Sequence, residues 1–254
     1  SFKLDESSLK VNGGEFQLSG IYINNAKQHL DLNIKSSENK ISNITSFLPP
    51  EYARTFAPYK TSGDVYFNAS IKGNLKFQTP KIEVKFGFKQ ASFFDPVTQQ
   101  NISEAMLNGS FNNGKERAKS SSSIKINEFS FKVQGGYANG QLVYTNFNSP
   151  IIDLNLNLDL PFLNIVELTG LDKIVRPKGS IQGSIKLKSS IDHLINDPQN
   201  DKIISTGELT LKDISFGIIN TDLPCRAING KFLVNKTDLG VINFKGKAGK
   251  SDFK

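Results

Sequence analysis

The sequence has no tryptophan, one cysteine, one methionine and two histidines among its 254 residues. Each scarcity removes a class of function. A lone Cys225 excludes an intrachain disulfide. His29 and His193 occupy polar positions far apart in the chain, with no cysteine beside either, so no metal-ligand spacing forms. The lack of tryptophan, and of paired carboxylates on a common face, argues against a glycan-processing enzyme or lectin. No apolar stretch approaches the ~18 residues of a membrane-spanning helix.

Motifs for catalysis are missing as well. Gly249-Lys250-Ser251 ends like a phosphate-binding loop, but Phe244 stands where its first glycine belongs. Cys225 follows Pro224 and has no evident base. Ser120 to Ser123 lacks the glycine frame of a nucleophile elbow. Acidic residues alternate singly with apolar ones, as on a solvated strand face. The expectation is a chain that is not an enzyme and carries no cofactor and no metal. The sequence opens at Ser1 with no leader-like pattern of its own and stops at Phe253-Lys254 inside what reads as another strand. We therefore expect a piece of a longer protein, with any anchor outside it.

What is present is alternation. In Ile152-Asp-Leu-Asn-Leu-Asn-Leu-Asp-Leu160 every even-numbered residue is apolar and every odd one from 153 is polar. That period of two belongs to a strand with one solvated face. Segments 65–71, 81–86, 181–187 and 208–212 repeat it. At typical strand lengths this pattern predicts roughly 17 strands. Five Asn-Gly steps, at 12, 108, 113, 139 and 229, predict hairpin turns or bulges. Hairpins in series make an antiparallel meander. The hydrophobic content of 37% fits a sheet wet on one side.

The sequence also repeats itself. Leu9-Lys-Val-Asn-Gly-Gly14 returns as Phe131-Lys-Val-Gln-Gly-Gly136, an offset of 122. The offset holds for Tyr22 and Tyr144, Asn24 and Asn146, and Leu30-Asp-Leu-Asn-Ile34 and Ile152-Asp-Leu-Asn-Leu156. We read one continuous array: repeat 1 at about 1–122, repeat 2 at about 123–244, and a further strand beginning at 245–254. Two segments break the alternation. Ser42 to Ala57 and Pro161 to Val175 have apolar spacings of three and four, predicting short helical inserts. Each leads into a strand expected to open with glycine, Gly63 or Gly179. Asn196 to Asp201 reads as a loop.

The net charge of +7 comes from lysines spread over outward strand positions. A solvated, edge-protecting face accounts for it, and weak attraction to anionic headgroups or nucleic acid is the alternative. So many strands cannot stay flat in one open sheet, and an apolar face needs cover. A sandwich or barrel would provide it. So would a trough, on the order of 80 Å long at ordinary strand spacing, whose floor meets acyl chains. Candidate floor residues are Leu30, Leu32, Ile34, Val65, Phe67, Ile71, Val84 and Phe86 in the first repeat. In the second they are Leu154, Leu156, Leu158, Ile181, Ile185, Leu187, Leu209 and Leu211.

Three features carry a resemblance: the Ser-Phe-Leu-Pro-Pro to Gly-Asp-Val stretch at Ser46 to Val65, the unit Leu223-Pro-Cys-Arg-Ala-Ile-Asn-Gly-Lys-Phe232, and the recurrent Lys10-Val-Asn-Gly-Gly-Glu-Phe-Gln-Leu-Ser-Gly20 pattern. With these the chain resembles the AsmA-like proteins of Gram-negative envelopes, the group that includes TamB-like proteins. The resemblance implies an all-β fold, a long antiparallel meander curled into an open groove. It implies the periplasmic part of an inner-membrane-anchored protein, associated with outer-membrane assembly and phospholipid transport between membranes. The implied partners are a phospholipid or other acyl-chain lipid and envelope membrane proteins, with no nucleic acid. The rival expectation is a dry β-repeat array that binds protein or glycan partners.

Overall fold

The computed structural model describes every residue except Asn12, 45–58, 97–98, Pro198, Asp222 and Thr237. The first six strands are β1 (Phe2–Val11), β2 (Gly14–Ile23), β3 (His29–Lys40), β4 (Lys60–Asn74), β5 (Lys81–Phe94) and β6 (Asn101–Asn112). Next come β7 (Ser123–Val133), β8 (Gly136–Thr145), β9 (Ile151–Pro161), β10 (Ile174–Ser190), β11 (Ile204–Ile218), β12 (Cys225–Asn235), β13 (Asp238–Ala248) and β14 (Ser251–Phe253). Short helices follow three of them: α1 (Ile41–Ile44), α2 (Phe162–Thr169) and α3 (Ile191–Asn196). The fold is all-β, an open antiparallel meander in which strand order follows chain order. Edge strand β1 pairs only with β2, and β14 only with β13.

The chain divides into two compact units. One comprises Ser1–Phe131 and Gln141–Ile151, the other Lys132–Gly140 and Ile152–Lys254. The boundary passes through β7, β8 and β9, so these strands contribute to both.

Fourteen described strands replace the roughly 17 predicted. The difference is one of length: β10 alone runs 17 residues. The alternation reads through positions where a break was expected. Gly63 and Gly179 do not open strands but lie inside β4 and β10. Asn108-Gly109, Asn139-Gly140 and Asn229-Gly230 also lie inside strands, in β6, β8 and β12. Of the five Asn-Gly steps, the glycines of two serve turns, Gly13 at φ 79° and Gly114 at φ 71°. Gly109 and Gly230 instead leave room for rings: a Cβ would stand 3.0 Å from Phe86 and 2.8 Å from Phe244 respectively.

The second helical insert is real but shorter than its pattern. Helix α2 ends at Thr169 because Gly170 adopts φ 65°, ψ 36° and its amide caps Glu167 and Val166. Leu171 amide then bonds the Val166 carbonyl at 3.1 Å, and Ile174 already begins β10. The first insert is described only at α1; residues 45–57 of it lie outside the described residues. Helix α3 was not expected. Its start was nonetheless legible: Ser190 accepts the His193 amide at 3.1 Å, with Asp192 in the first turn.

Strand for strand the halves correspond, while α3 between β10 and β11 has no counterpart between β4 and β5. Strands β2 and β8 begin at Gly14 and Gly136 and end at Ile23 and Thr145, all at the offset of 122. Helices α1 and α2 follow β3 and β9 directly. The correspondence reaches irregularities that alternation does not show. Gly63 (φ 109°) and Gly179 (φ 93°) each sit at a register shift, between Ser62 and Asp64 and between Lys178 and Ser180. Gln90 (φ 52°) and Asp213 (φ 50°) match, as do Glu104 (φ 48°) and Ala227 (φ 50°). Three consecutive strands in each half thus carry a β-bulge at equivalent positions. A bulge bends its strand and increases local twist, so the bend is part of the repeating plan.

Candidate functional site

In the first unit the register places the candidate residues on one face. Leu32 lies opposite Ile71, Ile34 opposite Ala69, and Leu30 opposite Gly73. Phe67 then faces Phe86, Ala69 faces Val84 and Ile71 faces Ile82. Val65, on the same side of β4, faces Phe88. The charges lie on the other side, where Lys72 meets Asp31 at 3.2 Å.

The second unit is arranged likewise. Ile181 faces Leu211, Gly183 faces Leu209, Ile185 faces Gly207 and Leu187 faces Ser205. Asp153 reaches Lys188 at 3.5 Å and Asn157 donates to Asn139 at 3.2 Å, which fixes the polar side of β9. Leu154, Leu156 and Leu158 therefore occupy its apolar side. Lys231 and Glu208 add a polar-face pair at 2.7 Å. Such exposed pairs contribute about 0–1 kcal/mol each; their value lies in keeping charge on one face.

All sixteen candidate residues are half-buried, none closed off and none fully exposed. Protein covers them only in part. The dry interior lies elsewhere, toward the bulges. In the first unit Ile41 of α1, Ala91 and Ala105 form a buried cluster, with Val65, Phe88, Phe93, Ile102 and Phe131 packed around it. Phe16 is also buried, its ring 5.7 Å from that of Phe67. In the second unit Leu160, Val166, Ile214 and Ile228 are buried, and the ring of Phe162 on α2 meets Phe216 at 5.8 Å.

Sequence reasoning passed over Phe88, Phe93 and Ile102, which belong to the same apolar surface. Phe88 continues the even series of Val84 and Phe86, whereas Phe93 and Ile102 lie beyond bulges, where counting by twos fails because the extra residue changes parity. The available signal was the phenylalanine density of Phe86-Gly-Phe88 and Phe93-Phe94.

Buried asparagines close gaps in the ladder. Asn39 accepts the Glu15 amide at 2.7 Å and donates to the Glu15 carbonyl at 3.0 Å, replacing a backbone pair beyond the β3 irregularity. Asn113 does the same for Ile82 (2.9 Å) and Pro80 (2.8 Å). Each satisfies backbone groups that would otherwise be lost.

Among the described residues no group of three or more His, Cys, Asp or Glu is placed to hold a metal ion. No described helix is long and apolar enough to cross a membrane. Comparison with family models, curated proteins and solved structures finds no match for the chain.

Proposed function

We propose that this chain is a non-enzymatic segment of a lipid conduit, of the kind its resemblance to AsmA-like proteins suggests. In this reading it is the periplasmic part of an inner-membrane-anchored envelope protein involved in outer-membrane assembly and phospholipid transport between membranes. The supporting observation is the half-burial of all sixteen candidate residues on an apolar face free of charge. Leucines and phenylalanines left at intermediate exposure forgo part of the ~25 cal/mol per Å2 that burial would return. Acyl chains laid on that face would supply it. The polar face, with its lysine–carboxylate pairs, would stay in water.

The test is capture. A photo-crosslinker at position 156 is expected to trap phospholipid from envelope membranes, while one at 155, on the opposite side of β9, is not. Native mass spectrometry of the gently purified chain should show co-purified lipid. A chain that arrives clean, with no adduct at 156, would establish the dry array instead.

A further inference from the structure

The two halves differ where β10, β11 and β12 meet at their α2-side ends. A concavity of about 860 Å3 is lined there by Val175, Phe216, Ile218 and Pro224, together with Arg176, Lys178 and Arg226. No carboxylate lines it among the described residues. The chain has four arginines. Arg54 lies outside the described residues, and Arg117 donates to Gln78 at 2.8 Å. The other two, Arg176 and Arg226, both line this concavity, and neither has a hydrogen-bond or ion-pair partner among the described residues. Described carboxylates on the neighbouring strands have other partners. Lys247, opposite Arg226 in the ladder, already meets Asp252 at 3.4 Å. Asp213 accepts from Asn229 at 2.9 Å.

The first half has other residues at the matching described positions. Matching positions through the bulges gives Lys60, Ser62 and Ser103 in place of Arg176, Lys178 and Arg226. Arg176 also departs in backbone, at φ 54° directly before Pro177. A residue before proline avoids helical conformations for steric reasons, so this geometry is costly and is held by its surroundings. Arginine offers a planar fork that matches phosphate oxygens in pairs. A volume of this size is that of a small-ligand site. The apolar lining adjoins Phe216, which follows Leu211 and Ile214 on β11 with the Asp213 bulge restoring their common side.

We propose that this concavity, where Lys178 lies opposite Ser215 and Arg226 opposite Lys247 on the charged side of the sheet, receives the phosphate of a phospholipid headgroup, held by Arg176, Lys178 and Arg226. The assignment rests on the conduit reading and gives it a stopping point in the second repeat.

The test titrates the whole chain with dihexanoyl phosphatidylglycerol below its micellar range, with inorganic phosphate, and with dihexanoylglycerol, which has no phosphate. The R176Q/R226Q variant is expected to bind the phospholipid about tenfold or more weakly, as loss of charged hydrogen bonds implies. The K186Q/K202Q variant removes two exposed lysines outside the concavity and is expected to bind as the parent does. R176K/R226K keeps the charge without the planar fork and is expected to bind more weakly than the parent and more tightly than R176Q/R226Q; binding equal to the parent's would remove the arginine fork as the holding element. Parent chain that takes up neither lipid would remove the conduit reading itself. Uptake of phosphatidylglycerol unaffected by R176Q/R226Q would remove only the headgroup site. Inorganic phosphate bound as tightly as the phospholipid would reassign the concavity to the free anion.

Discussion

The first and second halves share their bends and differ in what they put beside them. Both carry the bulge series at Gly63, Gln90 and Glu104 or at Gly179, Asp213 and Ala227. Next to it the first half places small residues, Ala91 fully buried and Ala105 nearly so, under α1. The second half places Ile214 and Ile228 at the matching positions, and beyond them two arginines and a lysine around an open hollow. Backbone geometry is therefore the repeated property, and side-chain volume and charge are the variable ones. A repeat protein can change what one unit binds without changing how it stacks, because each strand's bonds go to its sequence neighbours.

The equivalence of the bends is tested at the glycines. A Cβ on Gly63 would lie 2.8 Å from the Ala91 backbone, and one on Gly179 would lie 2.4 Å from the Lys212 carbonyl oxygen. Both glycines also hold positive φ. Gly63→Ala and Gly179→Ala are each expected to cost about 3 kcal/mol, combining backbone strain with a clash. Urea unfolding of the two variants measures it. A large loss at one position and none at the other would break the structural correspondence.

The bulges also mark the limit of what the sequence discloses. Alternation in 152–160 and 181–187 assigns faces correctly because nothing interrupts the pleat there. Gly63 and Gly179 stand out in sequence, but as strand openings; their positive φ within β4 and β10 goes with register shifts beside the Ser62–Ser92 and Lys178–Ser215 pairs, between strands too far apart in sequence for a local pattern to span. Gln90, Asp213 and Glu104 carry no glycine at all, so their bulges had no composition signal. The concavity was equally invisible, since Arg176 and Arg226 are separated by most of two strands. Helix α2 was legible through Leu163 and Val166, and its end through Gly170, a residue the apolar spacing alone overran.

A second comparison sets the dry interior against the half-covered face within one unit. Ile214 is 3% exposed, while Leu156 is half-buried. Ile214→Ala is expected to destabilise by about 2–4 kcal/mol, the usual cost of a core cavity. Leu156→Ala should cost about 1 kcal/mol, since less protein surrounds the lost atoms. Leu156→Asp sharpens the contrast: in a lipid-lined wall its charge blocks acyl chains yet leaves the chain folded. Chemical denaturation of the three variants separates the cases. Equal losses at 156 and 214 would mean that the wall is a closed core.

The smallest effect belongs to the first hairpin, which has a device the second lacks. Glu15 accepts the Ser8 hydroxyl at 2.8 Å and meets Lys10 at 3.6 Å. The Ser8 hydrogen bond first, and the Lys10 charge second, hold its carboxyl below the ordinary carboxylate range. Tyr137 occupies the matching position in the second half, so that hairpin has no carboxylate there. A carboxylate whose value falls on folding stabilises above its unfolded value, and that contribution disappears as pH drops through the lowered one. Glu15 is exposed, so solvent screens most of the gain. An NMR titration of the Glu15 carboxyl is expected to move upward in S8A and, by less, in K10A. The reverse order would put the ion pair ahead of the hydroxyl and remove the hydrogen bond as the cause. Glu15→Gln should leave stability at neutral pH nearly unchanged while flattening its acid dependence. Because the pair ties edge strand β1 to β2, the readout is fraying of that edge in hydrogen exchange, with the second half's hairpin as the internal control.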